Sequence, residues 1–256
     1  MTPIRRGVLR ALGFLCALVL LLGVAALVVF RTDLLLASLD VGPLGSEADA
    51  QHFLDEVGAF HGAPERWASQ PAIEMKLRGS VPFTPARLAF GLEESDVLLT
   101  LRFEPGVHGV YDYTLQDGDQ TRRGRVDTRQ DRDATGLVLD SVRHLFELPF
   151  VAASVPYRRG LPSVAGRRRA FFTWGDPPTA TSAYDQIVVW HEGGQVVRMD
   201  TTGRDLAPFI VARVEWDGRV ELGGFVLPRR AAVYNDGRDG AVVHAWALIS
   251  AEFTPK

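Results

Sequence analysis

Ile73-Glu74-Met75-Lys76-Leu77-Arg78 and Val97-Leu98-Leu99-Thr100-Leu101-Arg102-Phe103 each place an apolar side chain at every second position. A period of two sends alternate side chains to opposite faces, so each stretch reads as a strand with one buried and one wet face. Tyr111, Tyr113 and Leu115 continue the alternation against Asp112 and Thr114, and Asp117-Gly118 supplies a turn. Leu88, Phe90 and Leu92 read as a further short strand. Downstream, strand patterning returns over residues 170–174, 184–191, 195–201, 209–216, 225–234 and 241–253. Gly193-Gly194, Asp217-Gly218 and Asp236-Gly237 stand where hairpin turns are expected. The expectation is about eleven strands, mostly in hairpin order, in one large curved antiparallel sheet.

Two segments break this pattern with a period near 3.6. Ser46 and Asp49 make a variant of the capping box, Phe53, Leu54, Val57 and Phe60 share one helical face, and Gly62 is a natural stop. Pro64 then opens one short further turn. Residues 137–147 form a second helical pattern, expected to end at Leu148-Pro149. Residues 154–169 hold Pro156, Gly160, Pro162 and Gly166 and read as loop. The fold class is therefore α+β, mostly β, with helices on one face of the sheet.

Ahead of this domain, residues 11–30 contain no charged residue. At 1.5 Å per residue they match the ~30 Å hydrocarbon core of a bilayer. Arg5, Arg6 and Arg10 precede the run without an acidic neighbour, which orients residues 1–10 to the cytoplasm and the bulk of the chain to the periplasm or cell exterior. A cleaved signal is the rival reading, with Val24 and Ala26 at a small-residue cleavage site. Leu27-Val28-Val29-Phe30 carries the apolar run beyond it, to the length of a span. Residues 31–45 are a juxtamembrane linker and 46–256 the extracytoplasmic domain.

The chain has 256 residues, a net charge of −3 and one cysteine, Cys16, inside the apolar run. The domain must therefore bury its core without disulfides, and no CxxC, Cys/His zinc or haem motif can be assembled. No metal and no cofactor are expected. The charge balance disfavours a nucleic-acid partner that relies on a broad cationic face. G-x-S-x-G, H-E-x-x-H, P-loop and G-x-G-x-x-G motifs are absent, so no catalytic residue is assigned and no enzyme activity is expected. Asp185, His191 and Glu192 match no common metal-site spacing.

Three stretches resemble the LolA-like group of periplasmic lipoprotein carriers and outer-membrane lipoprotein-sorting-type domains. His61-Gly62-Ala63-Pro64-Glu65-Arg66-Trp67 resembles an HGG-x-x-x-W opening, and Phe146-Glu147-Leu148-Pro149-Phe150 a mid-chain LPF element. Tyr184-Asp185-Gln186-Ile187-Val188-Val189-Trp190 with Gly193-Gly194 and Val197-Arg198-Met199 resembles a D-Q-x-x-L-W strand pair. Ala63 replaces the second glycine, and His191-Glu192 an acidic strand end. The resemblance covers residues 46–253. It implies an unclosed barrel around helices with an apolar cavity for acyl chains, though fold alone does not fix function.

On that reading Trp67, Met75, Phe172, Trp174, Trp190, Met199 and Trp216 are candidates to line an apolar ligand cavity, against ordinary core packing. Arg158, Arg159, Arg167, Arg168 and Arg169 are candidates to touch anionic headgroups or an envelope partner, against a solvated loop. The functional expectation is a membrane-tethered, non-catalytic domain binding a lipid or other apolar molecule. The alternative is an interaction module with a filled core that docks an envelope protein.

Overall fold

The computed structural model describes residues 37–107, 109–127, 134–174, 184–204, 210–236 and 240–254. The expected span at residues 11–30 lies outside these. Among the described residues no helix is long and apolar enough to cross a membrane.

Helix α1 (Glu47–His61) starts and stops where its sequence says it should. The Ser46 hydroxyl accepts the Asp49 amide at 3.1 Å, and the Asp49 carboxylate accepts the Ser46 amide at 3.0 Å. The Ser46 hydroxyl also donates to the Asp49 carboxylate at 2.6 Å, and this bond, with that from the Ser46 amide, holds the Asp49 carboxyl below its ordinary pKa. Gly62, at φ 109°, ends the helix. The short α2 (Pro64–Ala68) follows with proline in its first turn.

Eleven strands occur among the described residues: β1 (Ile73–Ser80), β2 (Asp96–Phe103), β3 (Val110–Asp117), β4 (Gln120–Asp127), β5 (Tyr157–Val164), β6 (Arg167–Thr173), β7 (Gln186–Glu192), β8 (Gln195–Thr202), β9 (Val211–Leu222), β10 (Phe225–Asn235) and β11 (Val242–Phe253). They form one open antiparallel sheet in the order β4-β3-β2-β1-β11-β10-β9-β8-β7-β6-β5. Every neighbouring pair except β1–β11 is consecutive in sequence. That one long-range pairing, Ile73 opposite Phe253, joins the two ladders. The last strand must therefore reach the first before the sheet is whole.

Helices α1 and α4 (Ala134–Val151) cover the same face, called the inner face below. On it lie Ile73, Met75 and Leu77 of β1, Leu99 and Leu101 of β2, Phe172 of β6 and Trp216 of β9, all in one continuous core. The alternation in β1 and β2 is thus the pattern that buries one side of the sheet.

Several expectations are corrected. Residues 154–169 are not loop: they hold most of the β5–β6 hairpin, closed at Ala165-Gly166 with both φ values positive. Pro162 is tolerated because β5 is an edge strand, where a missing N–H costs no ladder bond. Leu88, Phe90 and Leu92 do not make a strand. Pro85 opens α3 (Thr84–Ala89), and Gly91 at φ 61° turns the chain into β2. Asp217-Gly218 lies within β9, with Gly218 a left-handed irregularity, and the turn falls at Gly223-Gly224. Strand β4 is too polar on both sides to show the period.

Helix α4 runs through Pro149 instead of stopping before it. A proline cannot donate to the carbonyl four residues back. That carbonyl, Leu145 O, instead accepts the Trp216 indole N–H at 2.6 Å. A strand residue thereby supplies the hydrogen bond that the helix lacks.

Candidate ligand-binding face

The inner face and its helical cover are the region in which the apolar candidates meet. Trp67, Met75, Phe172 and Trp216 are buried there, and Met199 packs half-buried against the same core. Trp67 stacks on Phe150 at 4.3 Å and 12°, with Phe225 edge-on at 5.2 Å. The other two candidates lie elsewhere. Trp190 is on the outer face between the guanidinium groups of Arg169 and Arg198, at 4.8 and 5.0 Å, and its N–H donates to Asp200. Trp174 is exposed just beyond the end of β6.

At the centre of the cover sits a polar knot that the sequence motifs did not disclose. Glu147 accepts the Trp67 indole N–H at 2.9 Å and pairs with the Nε of Arg143, one helical turn earlier. Both charged side chains are 1% exposed. The Arg143 guanidinium lies 4.2 Å over the Phe103 ring, and its two terminal nitrogens have no hydrogen-bond partner among the described residues. The pair is neutral as a unit, which is how two ions survive burial. The i, i+4 spacing of Arg143 and Glu147 was the available signal, but on an apolar helix it reads as a surface pair.

Helix α1 is held differently, by groups near its ends and along one flank. Gly45 N–H donates to Gly160 O at 2.8 Å, and Gly160 N–H to Ser46 O at 2.9 Å, which also covers the β5 edge. A Cβ on Gly160 would stand 2.3 Å from the Asp49 Cβ, so glycine is what lets the helix approach this closely. At the other end, His61 bridges two strands. Its Nδ1–H donates to Val226 O at 2.6 Å and its Nε2 accepts Val196 N–H at 3.1 Å. This arrangement requires the neutral ring, and burial pushes the His61 pKa down accordingly.

On the flank, Glu56 lies 2.9 Å from His191 Nε2 and 3.2 Å from Arg168, while His191 Nδ1 accepts Gly194 N–H. Burial lowers the His191 pKa, opposed by the Glu56 charge. These groups border an open cleft of about 540 Å³ with Phe60 and Gly166. A second cleft, of about 430 Å³, lies over the small residues Ala232, Ala245 and Ala247 of the outer face. The first lies where the flank of α1 meets inner-face side chains of β6 and β7, at the margin of the space between sheet and helices, and the second lies outside that space.

The five arginine candidates fall on β5 and β6, each with a partner within the chain. Arg158 and Arg159 face Glu47 at 3.7 and 3.8 Å, Arg168 faces Glu56, Arg167 faces Glu192 at 3.4 Å, and Arg169 donates to Pro162 O. Such part-exposed pairs contribute roughly 0–1 kcal/mol each. Asp185 accepts the Arg204 amide and the Thr202 hydroxyl and does not join His191. Among the described residues, no group of three or more His, Cys, Asp or Glu is placed to hold a metal ion. His108 lies outside them.

No family model and no curated protein matches the chain. Among solved structures it is similar to a LolA superfamily protein of Nitrosomonas europaea, at 9% identity and TM-score 0.44, covering 81% of this chain and 94% of that one. It is also similar to a DUF1329 family protein of Desulfovibrio piger, at 10% identity and TM-score 0.37, covering 80% and 93%.

Proposed function

We propose that the domain is tethered to the cytoplasmic membrane by residues 11–30, faces the periplasm or cell exterior, and binds an acyl chain or similar apolar molecule without catalysis. In this reading the sheet is a half-barrel, its concave side is the inner face, and the ligand enters by taking the place of α1. The observation that carries it is the way α1 is held. Its apolar contribution is small (Phe53, Leu54 and Val57 are its large buried side chains), and its remaining attachments are a few polar contacts at the ends and flank.

Burying those three side chains contributes roughly 1.5–3 kcal/mol each, whereas an acyl chain contributes ~0.8 kcal/mol per methylene. A chain of about twelve methylenes therefore contributes ~10 kcal/mol, comparable with the apolar burial that those three side chains give up. The motifs at residues 61–67, 146–150 and 184–199 support the same reading through their resemblance to lipoprotein-carrier domains. The basic side chains Arg158, Arg159 and Arg168, freed from Glu47 and Glu56 when α1 moves, would then be available to an anionic headgroup.

A second reading has a specific observation in its favour. The inner positions are filled, with Ile73, Met75, Leu77, Leu101 and Phe225 all at 0% exposure, as expected of an interaction module with a permanent core. Native mass spectrometry of the full chain released from mild detergent, followed by lipid extraction, separates the two. A stoichiometric apolar adduct that extraction removes is the expected result. A clean apo mass that stays unchanged with added fatty acid or phospholipid leaves the interaction module standing.

A further inference from the structure

We propose that one end of the sheet, carrying Trp174, Tyr184 and Leu88, is a membrane-contact surface that seats on the interfacial layer of the bilayer. The inference rests on the tether reading above and adds which side of the domain meets the lipid.

The register fixes which residues share that end. Thr173 pairs with Gln186, Thr202 with Val211, Ala212 with Asn235, Tyr234 with Val242, and Ser80 with both Ala245 and Asp96. Trp174 follows Thr173 directly, Tyr184 stands two residues before Gln186, and α3 with Leu88 joins Ser80 to Asp96. These three side chains are 46%, 52% and 75% exposed and belong to the most exposed large apolar residues described. Among the described residues the opposite end offers Val107 and Val164 of this kind, at 37% and 44%. Trp and Tyr with one wet and one apolar side suit the headgroup layer.

The linker docks at the same end. Arg204 donates through Nε to Ala37 O at 2.8 Å, and through Nη1 to Tyr184 O at 3.3 Å. Gln186 Oε1 accepts Leu39 N–H at 2.8 Å and the Ser38 hydroxyl at 3.2 Å. The path from Phe30, where the apolar run stops, to Ala37 is seven residues. Fully extended, those residues reach at most about 25 Å. The chain is thus fastened to the sheet beside Tyr184, within that reach of the membrane surface.

The described charges at this end are mixed, with Arg87 of α3 donating to Thr84 beside the acidic side chains. Glu93, Glu94 and Asp96 are exposed on the same end, and the Asp117 carboxylate holds the Glu93 and Glu94 amides in place at 2.8 and 2.9 Å. A contact made by aromatic and aliphatic side chains beside acidic ones suits a zwitterionic interface and gains nothing from anionic lipid.

The test uses the full chain reconstituted in phosphatidylcholine vesicles with a headgroup spin-labelled lipid, reading tryptophan quenching. Trp67, Trp216 and Trp246 are at most 7% exposed, and the half-buried Trp190 stands toward the opposite end of β7, so Trp174 should dominate the headgroup quenching. Quenching is expected to fall at least twofold in Trp174→Phe, and to be unchanged by salt or by added phosphatidylglycerol. Equal quenching in the variant and the wild type, in a chain that resists alkaline carbonate extraction, overturns the contact surface alone. A chain that carbonate strips from the vesicles overturns the tether, and the surface with it.

Discussion

Replacing Glu147 with alanine is expected to destabilise the domain by about 3–5 kcal/mol, because it strands Arg143 as an unpaired charge inside the core. Arg143 is 1% exposed and has no other acidic partner among the described residues, and the Trp67 indole N–H loses its acceptor in the same stroke. For a domain of this size each kcal/mol moves Tm by about 2–4 °C, so the melting temperature should fall by roughly 10 °C. The paired replacement Arg143→Met with Glu147→Leu removes both charges and fills similar volume, and should recover most of that loss. Thermal melts of the wild type, the single variant and the double variant in one mild detergent supply the comparison. A single variant within about 1 kcal/mol of wild type would mean that the ion pair is not buried as described.

Acidification should cost nearly as much. His244 is buried on the inner face, its Nδ1 accepts the Trp246 indole N–H at 3.0 Å, and burial lowers its pKa to about 4. An unfolded imidazole titrates near 6.5, so the unfolded chain binds the extra proton first. Stability from this group is therefore complete above pH 6.5 and is lost as pH falls through 4, a loss of about 3 kcal/mol over that interval. His61 acts with the same sign, since its pKa is also lowered and protonation would cost the Val196 bond. Urea unfolding at pH 7 and at pH 4 should show the difference. His244→Gln, which keeps an acceptor for Trp246 but does not titrate, should flatten most of it. An unchanged pH slope in that variant would remove His244 from the account.

How much of this was legible in the sequence depends on which interaction decided each element. The helix from Ser46 to Gly62 was readable because cap, apolar stripe and glycine stop are all local. So were β1, β2 and β3, where one face is buried and the period of two survives. The β5–β6 hairpin was hidden because its prolines and glycines answer to tertiary demands: Pro162 sits on an edge strand, and Gly160 makes room for Asp49. The length of α4 was hidden for a similar reason, since Trp216, far off in sequence, repairs the bond that Pro149 breaks.

Among the site candidates, burial of Trp67, Met75, Phe172 and Trp216 follows from their alternation or helical spacing. Trp190 has the same surroundings in sequence yet faces outward, because its register partners are Arg169 and Arg198. The arginine run reads as a free basic patch until folding brings Glu47 and Glu56 of α1 against it. Long-range pairing of this kind leaves no trace in local composition.

The displacement of α1 is the claim on which the functional reading turns, and a reversible lock across the Glu56–Arg168 contact tests it most directly. In a Cys16→Ser background, Glu56→Cys and Arg168→Cys, whose native side chains meet at 3.2 Å, are bridged by a short bis-methanethiosulfonate reagent, because a direct disulfide needs closer backbones than a contact between two long side chains implies. Uptake of a fluorescent fatty acid by the full chain is then measured crosslinked and after reduction. Negligible uptake is expected when crosslinked, and wild-type uptake once the bridge is reduced. Equal uptake in both states, or none in either, would contradict the displacement of α1.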